Sequence, residues 1–232
     1  MKTIGQSVVK ANNDVYENGN KRKNEDALFI SEQIIAISDG AGGVGILADE
    51  WSKTLVNNIP DKPFKSAKNI DEWVSLFWEE FYNEYLEELN GDSWKIRKFE
   101  EEGSLATLSA LWEVGKSKFE YRSYGDSAMF VFNRNTGELK IQNNLKPVNS
   151  FTASPPLINW QTEQFSEEYY YSQSIEIDSD EEIILATDGI AMYIHAAWLV
   201  YKDAINEEIL ESKMQKIIDY FNANPITDFV EW

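Results

Sequence analysis

Two stretches of the chain share one pattern, in which a run of aliphatic residues ends in an aspartate and a glycine. They are "IIAISDGAGG", residues 34–43, and "EIILATDGIA", residues 182–191. Each run predicts a buried strand, because β-branched and aliphatic side chains fit a pleated surface. The aspartate then lies at the rim of a core, where an isolated charge is costly, and the glycines allow positive φ and close backbone approach. An Asp-Gly turn after a strand explains one such stretch, but two stretches indicate a shared site.

Further carboxylates follow or precede strand patterns elsewhere. Asp126 lies in "YRSYGDSA", and the pair Glu25 and Asp26 comes just before a strand in "NEDALF". We expect the strands that carry Asp39 and Asp188 to be neighbours in one sheet, which places these two side chains close together at one edge. Buried carboxylates repel each other unless a cation or a shared proton lies between them. The pattern therefore predicts a site where carboxylates and carbonyls hold Mg²⁺ or Mn²⁺ with ordered waters.

The composition excludes several other chemistries. The 232 residues include no cysteine and a single histidine, His195, which excludes disulfides, thiolate metal sites and histidine-cluster zinc sites. We interpret His195 as a structural or surface residue. The net charge of −19 argues against nucleic acid as a ligand and suits oxygen-rich binding of divalent cations. Without a long apolar run or the apolar core of a signal peptide, the sequence predicts a cytoplasmic protein that does not bind membranes.

Hydrophobic periodicity predicts an α+β fold of antiparallel sheets covered by helices, because strand-rich and helical segments alternate in blocks. We expect one domain over residues 1–232. The predicted elements are a hairpin over 27–39, helices over 46–59 and 71–89, an antiparallel meander over 104–144, two strands over 173–189, and helices over 191–201 and 206–221. In the helix over 71–89, aromatic residues recur at helical spacing and glutamates fill the other positions. We expect the aromatic stripe to pack against a sheet and the glutamates to be exposed.

Five short motifs of the chain, in this order, resemble those of the metal-dependent protein phosphatases of the 2C (PPM) type. "RKNEDA" is similar to the family's Arg-x-x-x-Glu-Asp element and "SDGAGG" to its Asp-Gly-x-Gly-Gly element. "GSLAT", "YGDSA" and "LATDGI" resemble the Gly-Ser-Thr-Ala, Gly-Asp-Ser-Arg and Ser-Asp-Gly elements. The resemblance implies two antiparallel sheets packed face to face with helices outside, an α-β-β-α sandwich with a dinuclear metal centre at one end.

The resemblance also implies roles for individual residues. Asp39 matches the carboxylate that bridges two Mn²⁺ or Mg²⁺ ions, and the carbonyl of Gly40 matches a backbone ligand of one of them. Asp188 matches a ligand of the other ion, and Asp126 matches a residue linked to a third, more loosely held ion. Asp26, with its neighbour Glu25, matches the acidic pair near the metal-bound waters. The implied reaction is attack of a metal-activated water on a phosphate monoester, in line with the leaving oxygen.

The chain departs from the family pattern near the phosphate. The position of the family's phosphate-binding arginine holds Lys21, and Arg22 is one place away; lysine binds phosphate as a point charge without the bidentate fork of arginine. Ala41 and Val44 occupy positions where relatives often carry histidine, so a histidine general acid is absent. Ala128 replaces the usual arginine of the Gly-Asp-Ser-Arg element.

The C-terminus leaves the last metal ligand open. The family ends with Asp-Asn-x-Thr before a final strand, and that aspartate binds metal. Here "NANPITDFVEW" offers Asn224 or Asp228, and the chain stops with little room for a closing strand. The site is therefore either complete through Asp228 or one ligand short.

Two functions remain in competition. The first is a metal-dependent Ser/Thr phosphatase that acts on a phosphoprotein. The alternative is a weak or inactive relative that binds a phosphoprotein or a regulatory partner, which the missing arginine and histidine favour. A third possibility is an acidic interaction protein that binds no metal. It would require that each of these motifs only forms a turn. The sequence leaves the substrate, the physiological metal and the oligomeric state open.

Overall fold

Strands and helices occur in blocks along the chain, as the sequence predicts. The structure is a computed structural model that describes residues 5, 24–43, 45–141, 155–162, 164–191, 194–195 and 198. The strands are β1 Asp26–Ile30, β2 Ile34–Asp39, β3 Leu105–Ala106, β4 Leu108–Gly115, β5 Lys118–Tyr124, β6 Ala128–Asn133, β7 Leu139–Ile141, β8 Ile158–Asn159, β9 Tyr170–Glu176 and β10 Glu181–Ala186. The helices are α1 Ala48–Asn57, α2 Ala67–Val74, α3 Trp78–Glu88 and α4 Ser93–Glu102, and helical conformation also occurs from residue 188.

The larger sheet has five antiparallel strands in the order β1-β2-β4-β5-β9. Its first two strands form the predicted hairpin, which Ser31 closes. The N–H of Ser31 donates to the carbonyl of Ile34 (2.8 Å), and its hydroxyl oxygen accepts from the N–H of Ile34 (2.9 Å). Along β2 the aliphatic side chains alternate between the two faces of the sheet. Ile34 and Ala36 pack in the core beneath the helices, and Ile35 packs on the apolar cluster between the two sheets.

The smaller sheet has the order β10-β6-β7 and packs face to face against the larger one. Met129 and Val131 of β6 share a buried cluster with Leu111, Phe119 and Tyr121 of the five-stranded sheet. The alternate residues of β6 point the other way, which explains why this strand is apolar at almost every position. A strand buried on both faces requires such a continuous apolar run.

Helices cover both outer faces. On the five-stranded sheet, α1 contributes Trp51 and Leu55 to a core that includes Trp112 of β4. On the three-stranded sheet, Ala191 and Ile194 of the helical segment pack against β6 and β10. The layers are therefore helices, five-stranded sheet, three-stranded sheet and helix. This confirms the predicted α+β architecture, the α-β-β-α sandwich.

The predicted helix over 71–89 is two helices, α2 and α3, so the expectation of one continuous helix is wrong. At the break, the hydroxyl of Ser75 donates to the carbonyl of Glu72 (2.6 Å), an acceptor that a continuous helix gives to the backbone. The N–H groups of Leu76 and Phe77 donate to the carbonyls three residues earlier, those of Trp73 (3.1 Å) and Val74 (3.2 Å). These shorter-range hydrogen bonds make the turn tighter than an α-helical turn.

The aromatic stripe itself behaves as predicted. Trp73, Phe77 and Phe81 are buried, and the ring of Phe81 lies 4.8 Å from that of Trp51. The glutamates of α3 are exposed. The stripe packs against α1 and the five-stranded sheet beneath it, so these aromatic residues belong to the core.

The predicted meander over 104–144 is divided between the two sheets. Its strands β4 and β5 pair in the five-stranded sheet, and β6 and β7 pair in the three-stranded sheet. The two strands predicted over 173–189 are β9 and β10, and they also lie in different sheets. Both of these predicted strands are therefore present. The expected meander is wrong in its pairing, because hydrophobic alternation identifies a strand but carries no information on which strand lies beside it.

Helix α4 has no counterpart among the predicted elements, because Phe99 is its only buried residue and its period is weak. Asp92 caps its start by accepting the N–H of Lys95 (3.1 Å). Within the described ranges, no helix has the length and apolar character needed to cross a bilayer. The helix predicted over 206–221 lies outside the described residues.

Candidate functional site

Asp26 and Asp39 face each other across the first hairpin. They are direct partners in the antiparallel register of β1 and β2. Opposite residues project from the same face of a sheet, with Cβ atoms about 4.5–5.5 Å apart. Since Ile35 packs on the apolar cluster between the two sheets and side chains alternate along β2, Asp39 lies on the face turned toward the second sheet. The two carboxylates therefore lie at one end of the space between the sheets.

The glycines after Asp39 are required by close packing. A Cβ on Gly40 would overlap the main chain of Ala48 at the start of α1 and would lie 2.9 Å from the carbonyl oxygen of Glu25. The N–H of Gly40 donates to that same carbonyl (3.1 Å). A Cβ on Gly42 would collide with the carboxylate of Glu25. The Asp-Gly-x-Gly-Gly segment is thus packed directly on the Glu25–Asp26 pair.

The "GSLAT" segment joins this site through Thr107. Its N–H donates to the carbonyl of Asp39 (2.8 Å), and its hydroxyl oxygen accepts from the N–H of Asp39 (3.1 Å). The hydroxyl of Ser38 donates to the carbonyl of Thr107 (2.6 Å). Ala41 is tied to the same segment, because its N–H donates to the carbonyl of Leu105 (2.9 Å). The end of β2 is therefore hydrogen-bonded to the Glu25 segment on one side and to the "GSLAT" segment on the other.

Thr107 also links the two sheets. Its hydroxyl is hydrogen-bonded to that of Ser127 (3.0 Å), which follows Asp126 at the start of β6. Gly125 packs directly on Thr107, since a Cβ there would lie 2.6 Å from the Thr107 Cβ, and its φ of +117° is a conformation that other residues rarely adopt. Asp126 is buried, with 5% of its surface exposed, as is Asp39 with 7%.

Asp126 and Asp188 lie at the same end of the smaller sheet. Ala128, the first residue of β6, pairs with Ala186, the last residue of β10. Each aspartate is two residues beyond this pair. Residues 188–191 are helical, and the N–H of Ala191 donates to the carbonyl of Thr187 (2.9 Å), so Asp188 is in the first turn. A carboxylate suits the positive end of a helix dipole.

The expectation that Asp39 and Asp188 are on neighbouring strands of one sheet is wrong. Asp39 ends β2 in the five-stranded sheet, and Asp188 follows β10 in the three-stranded sheet. Two similar strand patterns do not require pairing, because face-to-face sheets can each contribute a strand end to one site. The connection here runs from Asp39 through Thr107 to Ser127 and Asp126.

Several predicted site residues lie outside the described residues. These are Lys21, Arg22, Asn224, Asp228 and Val44. Within the described ranges, no group of three or more acidic or histidine side chains is placed to hold a metal ion. Of the predicted metal ligands, Asp39, Gly40, Asp126 and Asp188 lie within the described residues.

Sequence reasoning assigned no role to four polar residues next to the site. Thr107 and Ser127 are hydrogen-bonded to each other. The hydroxyl of Ser52 donates to the carbonyl of Glu25 (2.6 Å), and Asp49, in the first turn of α1, is buried. Thr107 lies in the motif "GSLAT" and Ser127 lies in the motif "YGDSA". These two motifs were the sequence signal that could have indicated both residues.

His195 is half-buried in the helix that covers the smaller sheet, beside the buried Ile194. Burial lowers the pKa of its imidazole from the ordinary value, because an apolar environment disfavours the charged form. This environment agrees with the interpretation of His195 as a structural residue.

No protein-family model matches the chain, and no curated protein matches it in sequence. Solved structures match it in fold. The Mycobacterium tuberculosis serine/threonine phosphatase PstP/Ppp is 16% identical, with 85% of this chain and 86% of that chain covered and a TM-score of 0.50. A bacterial serine phosphatase with an arginine-to-glutamate substitution is 15% identical over 86% of each chain, with a TM-score of 0.51. The catalytic domain of PstP in complex with two manganese ions is 15% identical over 85% of each chain, with a TM-score of 0.49.

At these identities the likeness concerns the fold. The chain has the fold of the 2C-type serine/threonine phosphatases, as the five motifs led us to expect. The fold alone does not assign an activity, which has to be argued from the residues of the site.

Proposed function

We propose that the protein is a metal-dependent phosphatase that hydrolyses phosphate monoesters of serine or threonine in a phosphoprotein. The observation that carries this proposal is the position of Asp26 opposite Asp39, on the face of the larger sheet that is turned toward the smaller one. Two carboxylates that face each other repel, and a divalent cation bound between them would counter that repulsion. A sheet that needed only a turn at this point would not require two facing carboxylates.

The donor set fits a hard divalent cation. Mg²⁺ and Mn²⁺ prefer carboxylate, carbonyl and water oxygens, and all described candidates supply such oxygens. Asp39, the carbonyl of Gly40 and Asp188 would hold two ions, with Asp228 as the closing ligand and Asp126 near a third, looser ion. When bound, the metal would supply a water of lowered pKa as nucleophile and would stabilise charge on the phosphoryl oxygens.

The chain's own groups then have defined tasks. Asp26 would accept hydrogen bonds from waters at the site, and Lys21 or Arg22 would attract the phosphate by charge. Ala41 and Ala128 stand where relatives have a histidine and an arginine, so neither residue can donate a proton or bind phosphate. We therefore expect slow turnover, with a smaller deficit for substrates whose leaving group needs no proton.

The direct test is Mn²⁺-dependent hydrolysis of two substrates, an activated aryl phosphate and a phosphoserine peptide. We expect turnover of both, with the aryl phosphate less impaired because its leaving group departs as a stable anion. Asp39→Asn should abolish both activities. Asp61→Asn, which changes an exposed carboxylate, is the matched control and should retain them.

The second candidate is a domain that binds a phosphoprotein or partner without turnover. The neutral side chains of Ala41 and Ala128 favour it, since both replace groups that act on phosphate. Absence of turnover above the Asp39→Asn level, together with no binding of divalent cation at millimolar concentration, would reject the enzyme and support this candidate. Binding of Mn²⁺ with measurable turnover would reject the binding-only function.

A further inference from the structure

Thr107 makes an unusual set of contacts for a residue with no charge. Its main chain and its hydroxyl both bond to Asp39, at 2.8 and 3.1 Å, and its hydroxyl also bonds to Ser127 at 3.0 Å. These hydrogen bonds are buried, and Thr107 itself is almost fully enclosed. One side chain thus contacts the end of β2 in the larger sheet and the start of β6 in the smaller sheet.

The hydroxyl group of Thr107 makes the side-chain hydrogen bonds to both sheets. Its oxygen accepts a hydrogen bond from the Asp39 N–H, and the hydroxyl is also hydrogen-bonded to that of Ser127, so it satisfies polar groups from both sheets at once. A methyl group of the same size would leave the buried Asp39 N–H and the Ser127 hydroxyl without this partner. On its other side, the Thr107 Cβ is in close contact with the Gly125 backbone, so the residue has little freedom to move.

We propose that Thr107 is a positioning residue that holds Asp39 and Asp126 in one site by fixing the two sheets to each other. This inference rests on the proposed function for its effect on metal binding, but the hydrogen bonds that carry it are independent of any metal. A hydroxyl that fixes a carboxylate acts like the outer partners of metal ligands, whose loss weakens metal binding about ten- to a hundredfold.

The experiment compares Thr107→Val with Thr107→Ser. Valine keeps the shape and removes the hydroxyl, and serine restores it. The matched control is Ser109→Ala, which removes a buried hydroxyl bonded to the Tyr121 hydroxyl (2.8 Å) between β4 and β5 of the larger sheet. Two quantities are measured on the folded proteins: Mn²⁺ affinity by calorimetry, and amide hydrogen exchange at Asp39 and at 125–127 in the metal-free state.

We expect Thr107→Val to weaken Mn²⁺ binding by about tenfold or more and to accelerate exchange at both segments, with Thr107→Ser close to wild type. Ser109→Ala should change neither quantity at these segments. A structural role alone would lower the stability of Thr107→Val and Ser109→Ala alike without a selective change in Mn²⁺ affinity, and that result would overturn the inference.

The two proposals fail in different ways. If the wild-type protein binds no Mn²⁺, the proposed function is wrong, and the inference about Thr107 is decided by exchange alone. Faster exchange at both segments in Thr107→Val, reversed in Thr107→Ser, then supports it. Unchanged exchange at Asp39 or at 125–127 overturns it.

Discussion

Asp26 and Asp39 occupy directly opposite positions on two antiparallel strands, and both lie on the face of the sheet that is turned toward the second sheet. Like charges directly opposite each other destabilise a strand pair. A divalent cation bound between the two carboxylates would counter this repulsion. A ligand that binds only the folded state stabilises it in proportion to its saturation.

Thermal unfolding with and without Mn²⁺ tests this relation. At a concentration about 100 times the dissociation constant, Mn²⁺ should raise the free energy of unfolding of the wild type by about 2.7 kcal/mol. Asp39→Asn should lose this stabilisation, and Asp26→Asn should lose part of it. Asp61→Asn, at an exposed position, should keep it all. Equal stabilisation of wild type and Asp39→Asn would contradict the assignment of Asp39 as a ligand.

The contact between Gly125 and Thr107 predicts a stability effect. Gly125→Ala places a side chain at a φ of +117°, which costs about 1–3 kcal/mol. The new Cβ would also lie 2.6 Å from the Thr107 Cβ, so the loop has to move away from the larger sheet. We expect the free energy of unfolding, measured by chemical denaturation, to fall by more than backbone strain alone explains.

Gly91→Ala is the control for that strain. Gly91 has a φ of +100°, and a Cβ there meets nothing within 4 Å. The excess loss in Gly125→Ala over Gly91→Ala therefore measures the contact with Thr107. Equal losses of unfolding free energy in the two variants would show that Gly125 is not closely packed on Thr107.

Sequence reasoning located most strands and the acidic strand ends because these depend on local patterns, whereas the packing of two sheets face to face was expected from the resemblance to the phosphatase family. The "IIAISD" run alternates between the two faces of its strand, and Ala27–Asp39 forms the predicted hairpin. The pairing of the later strands depends on contacts between distant residues, which periodicity does not record. For this reason β5 was not expected beside β9, and Asp188 was expected beside Asp39 in a single sheet.

The buried hydrogen bonds of the site could not be predicted from the sequence either. Thr107 and Ser127 are short polar residues that serve equally well in turns, strands and caps. Their roles depend on the approach of two sheets whose packing no local pattern specifies. The break after α2 is a similar case, because Ser75 is tolerated in many helices and here diverts the carbonyl of Glu72.

Trp51 should be among the most sensitive positions of the helical layer. It is fully buried, contacts Phe81, and donates its indole N–H to the carbonyl of Ile158 (2.9 Å). Trp51→Ala should lower the free energy of unfolding by about 3–5 kcal/mol because it leaves a large cavity. Trp51→Phe should cost less, about 1–3 kcal/mol, mainly from the unpaired carbonyl.

Trp94 provides the comparison, since 64% of its surface is exposed and its ring lies against Lys98. Trp94→Ala should change the free energy of unfolding by no more than about 0.5 kcal/mol. Urea titration of the three variants measures these differences. A Trp51→Ala variant as stable as Trp94→Ala would mean that α1 is not packed on the larger sheet as described.

Tyr121 makes the stability depend on pH in the alkaline range. Its burial between the sheets raises the pKa of the phenol from 10.0 to about 12. Below pH 10 the phenol is neutral in both states, and its contribution to stability is fully present. As the pH rises from 10 toward 12, the unfolded chain loses this proton and the folded protein keeps it. The contribution is then lost at about 1.4 kcal/mol per pH unit.

Tyr121→Phe removes this titration, so its free energy of unfolding should fall less steeply with pH than that of the wild type. At neutral pH the variant should be less stable by about 1 kcal/mol, because the hydrogen bond to Ser109 is lost. The difference should therefore shrink between pH 10 and 12. Parallel stability curves over this range would show that the Tyr121 phenol is not shielded from water.

The closing metal ligand is decided by variants at the C-terminus. We expect Asp228→Asn to weaken Mn²⁺ binding by about tenfold or more, since an amide lacks the charge that a hard cation prefers. Asn224→Ala should leave the affinity close to that of the wild type, and Asp61→Asn serves as the control for a general change of charge. Calorimetric titration with Mn²⁺ measures all three. A loss confined to Asn224→Ala would assign the ligand to that residue, and no loss in either variant would mean that the site works without a carboxylate from the C-terminus.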